Sequence, residues 1–268
     1  MRQTILPEIL DSGENKSIAI SVPDKYKINY LELKNHVNTT SNLLNSFGTL
    51  NERAIIIVLG NNAEFIITFL AVTKTNAIAA PLNPEFTLEE FKFYLEDINP
   101  SLLITTDGHP VINEAKNKNI PIATVSFKQK TFDLKFDSSP YQKKDINIPN
   151  ENNSCLFLHT SGTTSRPKGV PLKHKNLLKS LNNIINTYNL TNNDVAMVVM
   201  PLFHVHGLIG VALSTLASGG EIVVPEKFSA SAFWKIQKEY NATWYSAVPT
   251  IHQITTTEQK QEIGRAHV

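Results

Sequence analysis

The chain has 268 residues, 41% of them hydrophobic and 18% charged, a composition that folds into a globular core and excludes a disordered chain. Lys and Arg number 25 against 24 Asp and Glu, so no global field recruits nucleic acid or an anionic membrane, and any anion site has to be local. The single cysteine, Cys155, excludes an intrachain disulfide framework and a multi-cysteine zinc site, and no segment approaches the ~20 apolar residues that span a bilayer.

At roughly 150 residues per domain, the length allows one or two domains. The opening residues lack the charged-then-apolar layout of a secretory signal, so an intracellular protein is expected. In chain order, Leu33, Val37, Leu44 and Phe47 fall on one helical face, and Gly48 stands where a helix-terminating glycine belongs. Ala54 to Leu59 is the clearest strand, apolar on both faces as a buried parallel strand requires. Asn62 to Lys74 returns to a helical pattern through Phe65, Phe69 and Val72. Thr87 with Glu90 is a capping box that opens a helix over Phe91, Tyr94 and Leu95.

Further strands are expected at Leu102 to Thr105, Ile120 to Val125, Cys155 to Leu158, Val195 to Met200, Ile222 to Val224 and Thr243 to Val248. A helix is expected from about His174 to Tyr188, and Cys155 reads as a small buried hydrophobe. Ser126 to Asn153 is polar, without a sustained period, and reads as a long surface connection. The alternation of strands and helices predicts an α/β fold with largely parallel sheets flanked by helices.

The chemistry concentrates after that connection. An apolar strand ending at His159 runs straight into Thr160-Ser161-Gly162-Thr163-Thr164-Ser165-Arg166-Pro167-Lys168-Gly169. Such a loop suits a polyphosphate: small residues let the backbone approach phosphate oxygens, N–H groups and hydroxyls donate to them, and Lys168 adds a point charge. It is not a Walker A loop, which needs Gly-x-x-x-x-Gly-Lys-Ser/Thr. On composition alone, a structural Ser/Thr/Gly turn is a close alternative. Downstream, Met200-Pro201-Leu202-Phe203-His204-Val205-His206-Gly207 sets two histidines around a tight turn, where they serve either a site or merely local backbone groups. A two-histidine metal site is the weaker option, because no Asp, Glu or Cys stands nearby.

In its order of residues, Thr160 to Gly169 resembles the phosphate loop of the acyl-adenylate-forming superfamily: acyl-CoA synthetases, luciferases and adenylation domains of peptide synthetases. Ser165 departs from the glycine that most members carry, and the Ser-Arg-Pro-Lys variant is similar to the oxalate–CoA ligase branch, the peroxisomal-type CoA synthetases. Met200 to Gly207 resembles the superfamily's second shared motif, an aromatic and histidine turn beside the acyl pocket. Phe228 to Gln253 looks like the helix, strand and turn that follow, with Phe233, Trp234 and Trp244 expected in the core. The likeness extends over about Ser17 to Gln253.

The resemblance implies a two-step ligation using ATP, Mg2+, a carboxylic acid and CoA, with small-molecule substrates and no nucleic acid. Thr160, Ser161, Gly162, Thr163, Thr164, Lys168 and Gly169 match the loop that holds the nucleotide's phosphates. His204 and His206 match the catalytic, acyl-side turn, where an imidazole would bond a second, non-reacting carboxylate such as that of oxalate. Oxalate is the favoured acid. The alternatives are a medium-chain or aryl acyl-CoA synthetase and a catalytically dead nucleotide-binding module.

The superfamily's Tyr-x-x-Thr-Glu segment, ribose-binding aspartate and small C-terminal domain with its catalytic lysine have no match in this sequence. Residues 1–262 are therefore expected to be a partial N-terminal adenylation domain, inactive alone. The end, Ile263-Gly264-Arg265-Ala266-His267-Val268, reads like a translated sequencing adapter and is expected to be non-native. A cytoplasmic and a peroxisomal location are equally compatible with these residues.

Overall fold

A computed structural model describes residues 3–48, 50–128, 131–137, 147–160 and 167–265, the side chains of residues 160 and 259–265 excepted. A 3₁₀ segment, Leu6–Ser12, precedes β1 (Ile18–Val22), β2 (Tyr26–Asn29), α1 (Tyr30–Phe47), β3 (Ala54–Val58), α2 (Ala63–Lys74) and β4 (Ile78–Pro81). Next come α3 (Leu88–Ile98), β5 (Leu102–Thr105), α4 (Val111–Asn117), β6 (Ile122–Lys128), β7 (Thr131–Phe136), β8 (Ser154–Thr160) and β9 (Lys168–Lys173). The chain continues through α5 (His174–Tyr188), β10 (Val195–Met197), a π-helical segment His206–Leu213, α6 (Ser214–Ala217), β11 (Glu221–Val223), α7 (Ala230–Glu239) and α8 (Pro249–Arg265).

The strands form two sheets. Seven lie in the order β7-β6-β5-β3-β4-β8-β9 and four in the order β10-β11-β1-β2. Neighbours are parallel except for three antiparallel pairs at the edges, β6 with β7, β8 with β9, and β1 with β2. The fold is thus α/β and largely parallel, as the alternation predicts.

Central position explains the β-branched run of β3: Ile55, Ile56 and Ile57 are each without exposed surface because both faces of the strand are covered. The helix α2 goes further than its pattern suggests. Ala63 and every residue from Phe65 to Thr73 are buried, so the helix is internal and has no polar face. It packs against α1, the 3₁₀ segment and the seven-stranded sheet. One continuous core draws on both sheets, with Ile20 and Ile222 from one and Ile55 and Ala79 from the other.

Local signals behave as their chemistry requires. Thr87 Oγ1 accepts the Glu90 N–H at 3.3 Å, and Glu90 returns a bond to the Thr87 N–H at 2.8 Å, closing the capping box of α3. Gly48 ends α1 at φ 148° and ψ −173°, a region only glycine occupies readily.

Two expectations need correction. The polar stretch from Ser126 onward holds the end of β6 and all of β7, a hairpin rather than a connection. In β7, Phe132, Leu134 and Phe136 turn inward between exposed Thr131 and Lys135; as an edge strand it is covered on one face only, so its apolar residues sit at every second place. Thr243 to Val248 is not a strand: Trp244 alone bridges to Ala196, its carbonyl accepting the Met197 N–H at 3.0 Å, before the chain turns into α8. Among the described residues, no helix is long and apolar enough to cross a membrane.

Candidate functional site

The strands β4 and β8 lie side by side and parallel, with Ala79 opposite Leu156, so both deliver the chain to the same edge of the sheet. Ligands of open parallel sheets collect beyond such ends. A cavity of about 250 Å³ opens there. Pro81, Leu82 and Asn83 form one wall, Leu158 and His159 of β8 another, and Tyr94 of α3 a third. Phe203, His204 and Val205 close it from the turn that follows β10.

Hydrogen bonding of β8 with β9 sets the base of the hydroxyl-rich loop. The register pairs Leu158 with Val170, His159 with Gly169, and Thr160 with Lys168, so Lys168 stands directly across the mouth of the loop from Thr160. Lys168 and Gly169 are exposed. Ser161, Gly162, Thr163 and Thr164 lie outside the described residues, and of Thr160 only the backbone is described.

Gly169 has a packing reason of its own: a Cβ there would fall 2.1 Å from Cζ of Phe157, whose ring crosses the glycine. A cationic side chain facing a hydroxyl-bearing strand end can meet the charge of a phosphate chain. A divalent metal would need oxygen ligands in addition, and among the described residues no three His, Cys, Asp or Glu side chains gather to hold one.

The structure separates the two histidines of the Met200–Gly207 motif. His204 lines the cavity, its ring 4.6 Å from that of Phe203. Partial removal of water holds its imidazole below the ordinary histidine value, which favours the neutral ring. His206, the first residue of the π-helical segment, turns elsewhere: its Nε2 lies 2.8 Å from Ser246 Oγ. The Met200–Gly207 turn closes tightly because Gly207 has no Cβ, which would sit 2.3 Å from the Pro201 carbonyl oxygen.

A third histidine enters the site unannounced by the sequence pattern. His159, the residue before the hydroxyl-rich loop, has a side chain only 7% exposed and places Nε2 2.8 Å from Asp97 Oδ2. Its ring meets Tyr94 edge-on at 4.8 Å and Phe157 at 5.2 Å, and Tyr94 in turn stacks on Phe86. The carboxylate orients the imidazole and the aromatic rings fix its plane. Its place at the end of a buried strand was the available signal, but Asp97 is 62 residues away and only the fold brings it near.

Cys155 is fully buried and its thiol is pushed up to about 12, so it is no nucleophile. Phe233 is buried, while Trp234 and Trp244 pack half-buried against the core.

Comparison with known proteins matches residues 11–267 to one family, described as AMP-binding enzyme. The chain is 42% identical over 245 residues to an oxalate–CoA ligase of Arabidopsis thaliana, a match covering 88% of this chain and 48% of that protein. An oxalate–CoA ligase of Saccharomyces cerevisiae is 36% identical over 272 residues, covering 89% of this chain and 50% of the relative. The chain therefore spans about half the length of the curated relatives it matches. Among solved structures, ATP-bound MatB from Rhodopseudomonas palustris superposes with a TM-score of 0.79 at 22% identity, over 93% of this chain and 50% of that one. A long-chain-fatty-acid–CoA ligase from Archaeoglobus fulgidus gives 0.83 at 19% identity, over 97% and 55%. Both share the fold.

Proposed function

The chain belongs to the AMP-binding enzyme family, and on that premise we propose that it is the N-terminal portion of an ATP-dependent acid–CoA ligase with oxalate as its favoured acid. In this reading a carboxylate oxygen attacks the α-phosphorus of ATP, pyrophosphate leaves, and the thiol of CoA then displaces AMP from the acyl-adenylate. In-line transfer of this kind depends on positioning and on neutralising the leaving phosphates. Thr160 to Thr164 would wrap those phosphates, Lys168 would meet their charge, and Gly169, which makes room for the Phe157 ring, would seat the strand beside them.

The observation that carries the reading is one of adjacency: the hydroxyl-rich loop leaves β8 at the same edge as the cavity lined by His204. Nucleotide phosphates on the loop would have a second substrate beside them. His204, rather than His206, is the imidazole proposed to bond the acid, because His206 is engaged with Ser246. A neutral imidazole donates one N–H to a carboxylate oxygen.

A second reading, a ligase for medium-chain or aryl acids, draws on the apolar walls of the cavity, where Leu82, Phe86, Leu158 and Val205 would suit a hydrocarbon.

Comparing oxalate, acetate, malonate and hexanoate separates the readings, using a protein of the family's full length that carries this chain. A pocket built on hydrogen bonds rejects acids that leave its donors unpaired, by up to about 10⁴-fold. His204→Ala should then collapse kcat/KM for oxalate and leave KM for ATP unchanged, whereas His206→Ala should lower stability without altering selectivity. Preference for hexanoate in the unmodified protein would replace oxalate with the second reading. Loss of ATP affinity in both variants would assign the motif to the nucleotide, and ATP binding without pyrophosphate release would mark a binding module.

A further inference from the structure

The turn that carries His204 is not held by its own sheet. After Val198, whose N–H donates to Val223 O at 2.9 Å, the chain leaves the four-stranded sheet. Its next anchor is Asn61, in the loop between β3 and α2, which belongs to the other sheet. Asn61 Nδ2 donates to the Met200 carbonyl at 3.1 Å, and its Oδ1 accepts the Leu202 N–H at 2.8 Å. One side-chain amide thus grips the start of the turn on both sides of Pro201, across 139 and 141 residues of sequence.

Chemistry explains why an amide stands there. Pro201 has no N–H, so the turn offers an acceptor at Met200 and a donor at Leu202 with no backbone donor between them. A primary amide supplies the donor and the acceptor on two separate atoms in fixed planar geometry, whereas an ionised carboxylate has no donor. The anchor is itself rigid. Asn62, the next residue, caps the fully internal α2 by accepting the Phe65 N–H at 2.8 Å, and β3 is the central strand behind it. Gly207 also lies so close to the Met200 and Pro201 carbonyls that a Cβ would come within 2.7 and 2.3 Å of them. The turn is held by the amide and by the close approach of the glycine.

The walls of the cavity come from both sheets: Pro81 to Asn83 and Leu158 with His159 from the seven-stranded one, Phe203 to Val205 from the clamped turn. We propose that Asn61 is a positioning residue that fixes where His204 stands across the cavity from His159. Building on the acid-side reading of His204 given above, its effect falls on the acid and not on the nucleotide.

The test follows the ring resonances of the histidines in the 268-residue chain, with His204 assigned through His204→Gln. Asn61→Ala removes both bonds, whereas Asn61→Asp keeps the acceptor for Leu202 and loses the donor to Met200. His204 should shift in both variants, and in Asn61→Ala, which adds no charge, its titration midpoint should move toward that of a free imidazole. His174, buried far along the chain against Leu6, should stay in place and report an intact fold. An unmoved His204 in both variants overturns the proposal. Loss of the native His174 signal together with that of His204 also overturns it, because Asn61 would then serve folding at large. In a ligase-competent protein, Asn61→Ala should lower kcat/KM for the acid by about 10- to 100-fold, the cost of an ångström-scale misplacement, with KM for ATP unchanged. If the unmodified protein forms no adenylate with any acid, the ligase reading falls while the His204 resonance still decides the role of Asn61.

Discussion

His174 shows how one residue can tie stability to pH. It has no exposed surface, and its Nδ1 accepts the Leu6 N–H at 2.9 Å, which only a neutral ring can do. Burial pushes its imidazole down to about 4, against a weaker opposing pull from Glu8. The unfolded chain, titrating near 6.5, therefore binds more protons between pH 6.5 and 4, and stability is lost as pH falls through that window. The loss should approach about 3 kcal/mol, at 1.36 kcal/mol per pKa unit. Urea midpoints at pH 7.5 and 4.5 measure it, and His174→Gln should flatten the difference; an equal slope in both proteins would remove His174 from the account. Lys168 belongs to the same scale. In the proposed ligation pyrophosphate would depart before thiolation, so a charge on the leaving phosphates would have little left to stabilise in that step. Lys168→Ala should cost adenylation about 2–4 kcal/mol and thiolation much less. Equal losses in the two half-reactions would assign Lys168 to folding or general affinity.

At the scale of elements, the hairpin of β8 and β9 shows a glycine kept for space rather than for backbone freedom. Gly169 is not among the left-handed residues, yet a Cβ on it would strike the Phe157 ring. That ring also holds His159 edge-on, so crowding at Gly169 would be felt at the wall of the cavity. Gly169→Ala should therefore destabilise by about 1–3 kcal/mol, the usual cost of overpacking. Truncating Phe157→Ala in the same chain should relieve much of it, giving a coupling of at least about 1 kcal/mol in a double-mutant cycle. Additive losses would show that the clash is absorbed elsewhere. The capping box at Thr87 and the helix His174–Tyr188 were legible in sequence because their determinants are three or four residues apart. β7 was not, because its inward residues alternate with Thr, Asp and Lys in a stretch that reads as polar overall.

Over the whole molecule, side-chain links connect residues distant in sequence, within the four-stranded sheet and from one sheet to the other. Ser21 bonds Glu221, Tyr30 donates to the Gly220 carbonyl at 2.7 Å, and Asn61 grips Leu202. Contacts of such separation make folding slow and late to be rewarded. The proposed site is assembled from the ends of β4 and β8 with the turn that follows β10, so it is complete only when the two sheets have come together. The chain spans about half the length of its relatives, and acid-dependent pyrophosphate release is predicted only when the remaining half is supplied. A coupled pyrophosphate assay on the 268-residue chain and on a full-length protein checks this; robust oxalate-dependent release by the chain alone would refute it.

What the sequence determined by itself is the α/β class, the buried strand β3 and the helices with local caps. Each of these rests on periodicity, on neighbours within a turn, or on a contiguous run of residues whose chemistry survives any packing. Tertiary structure alone decided that His204 and His206 part company, that Asp97 holds His159, that Asn61 clamps the turn, and that the Ser126–Asn153 stretch contains a strand. These depend on which distant groups meet once two sheets share a core. Burial and hydrogen bonding there are settled by three-dimensional neighbours that no local pattern records.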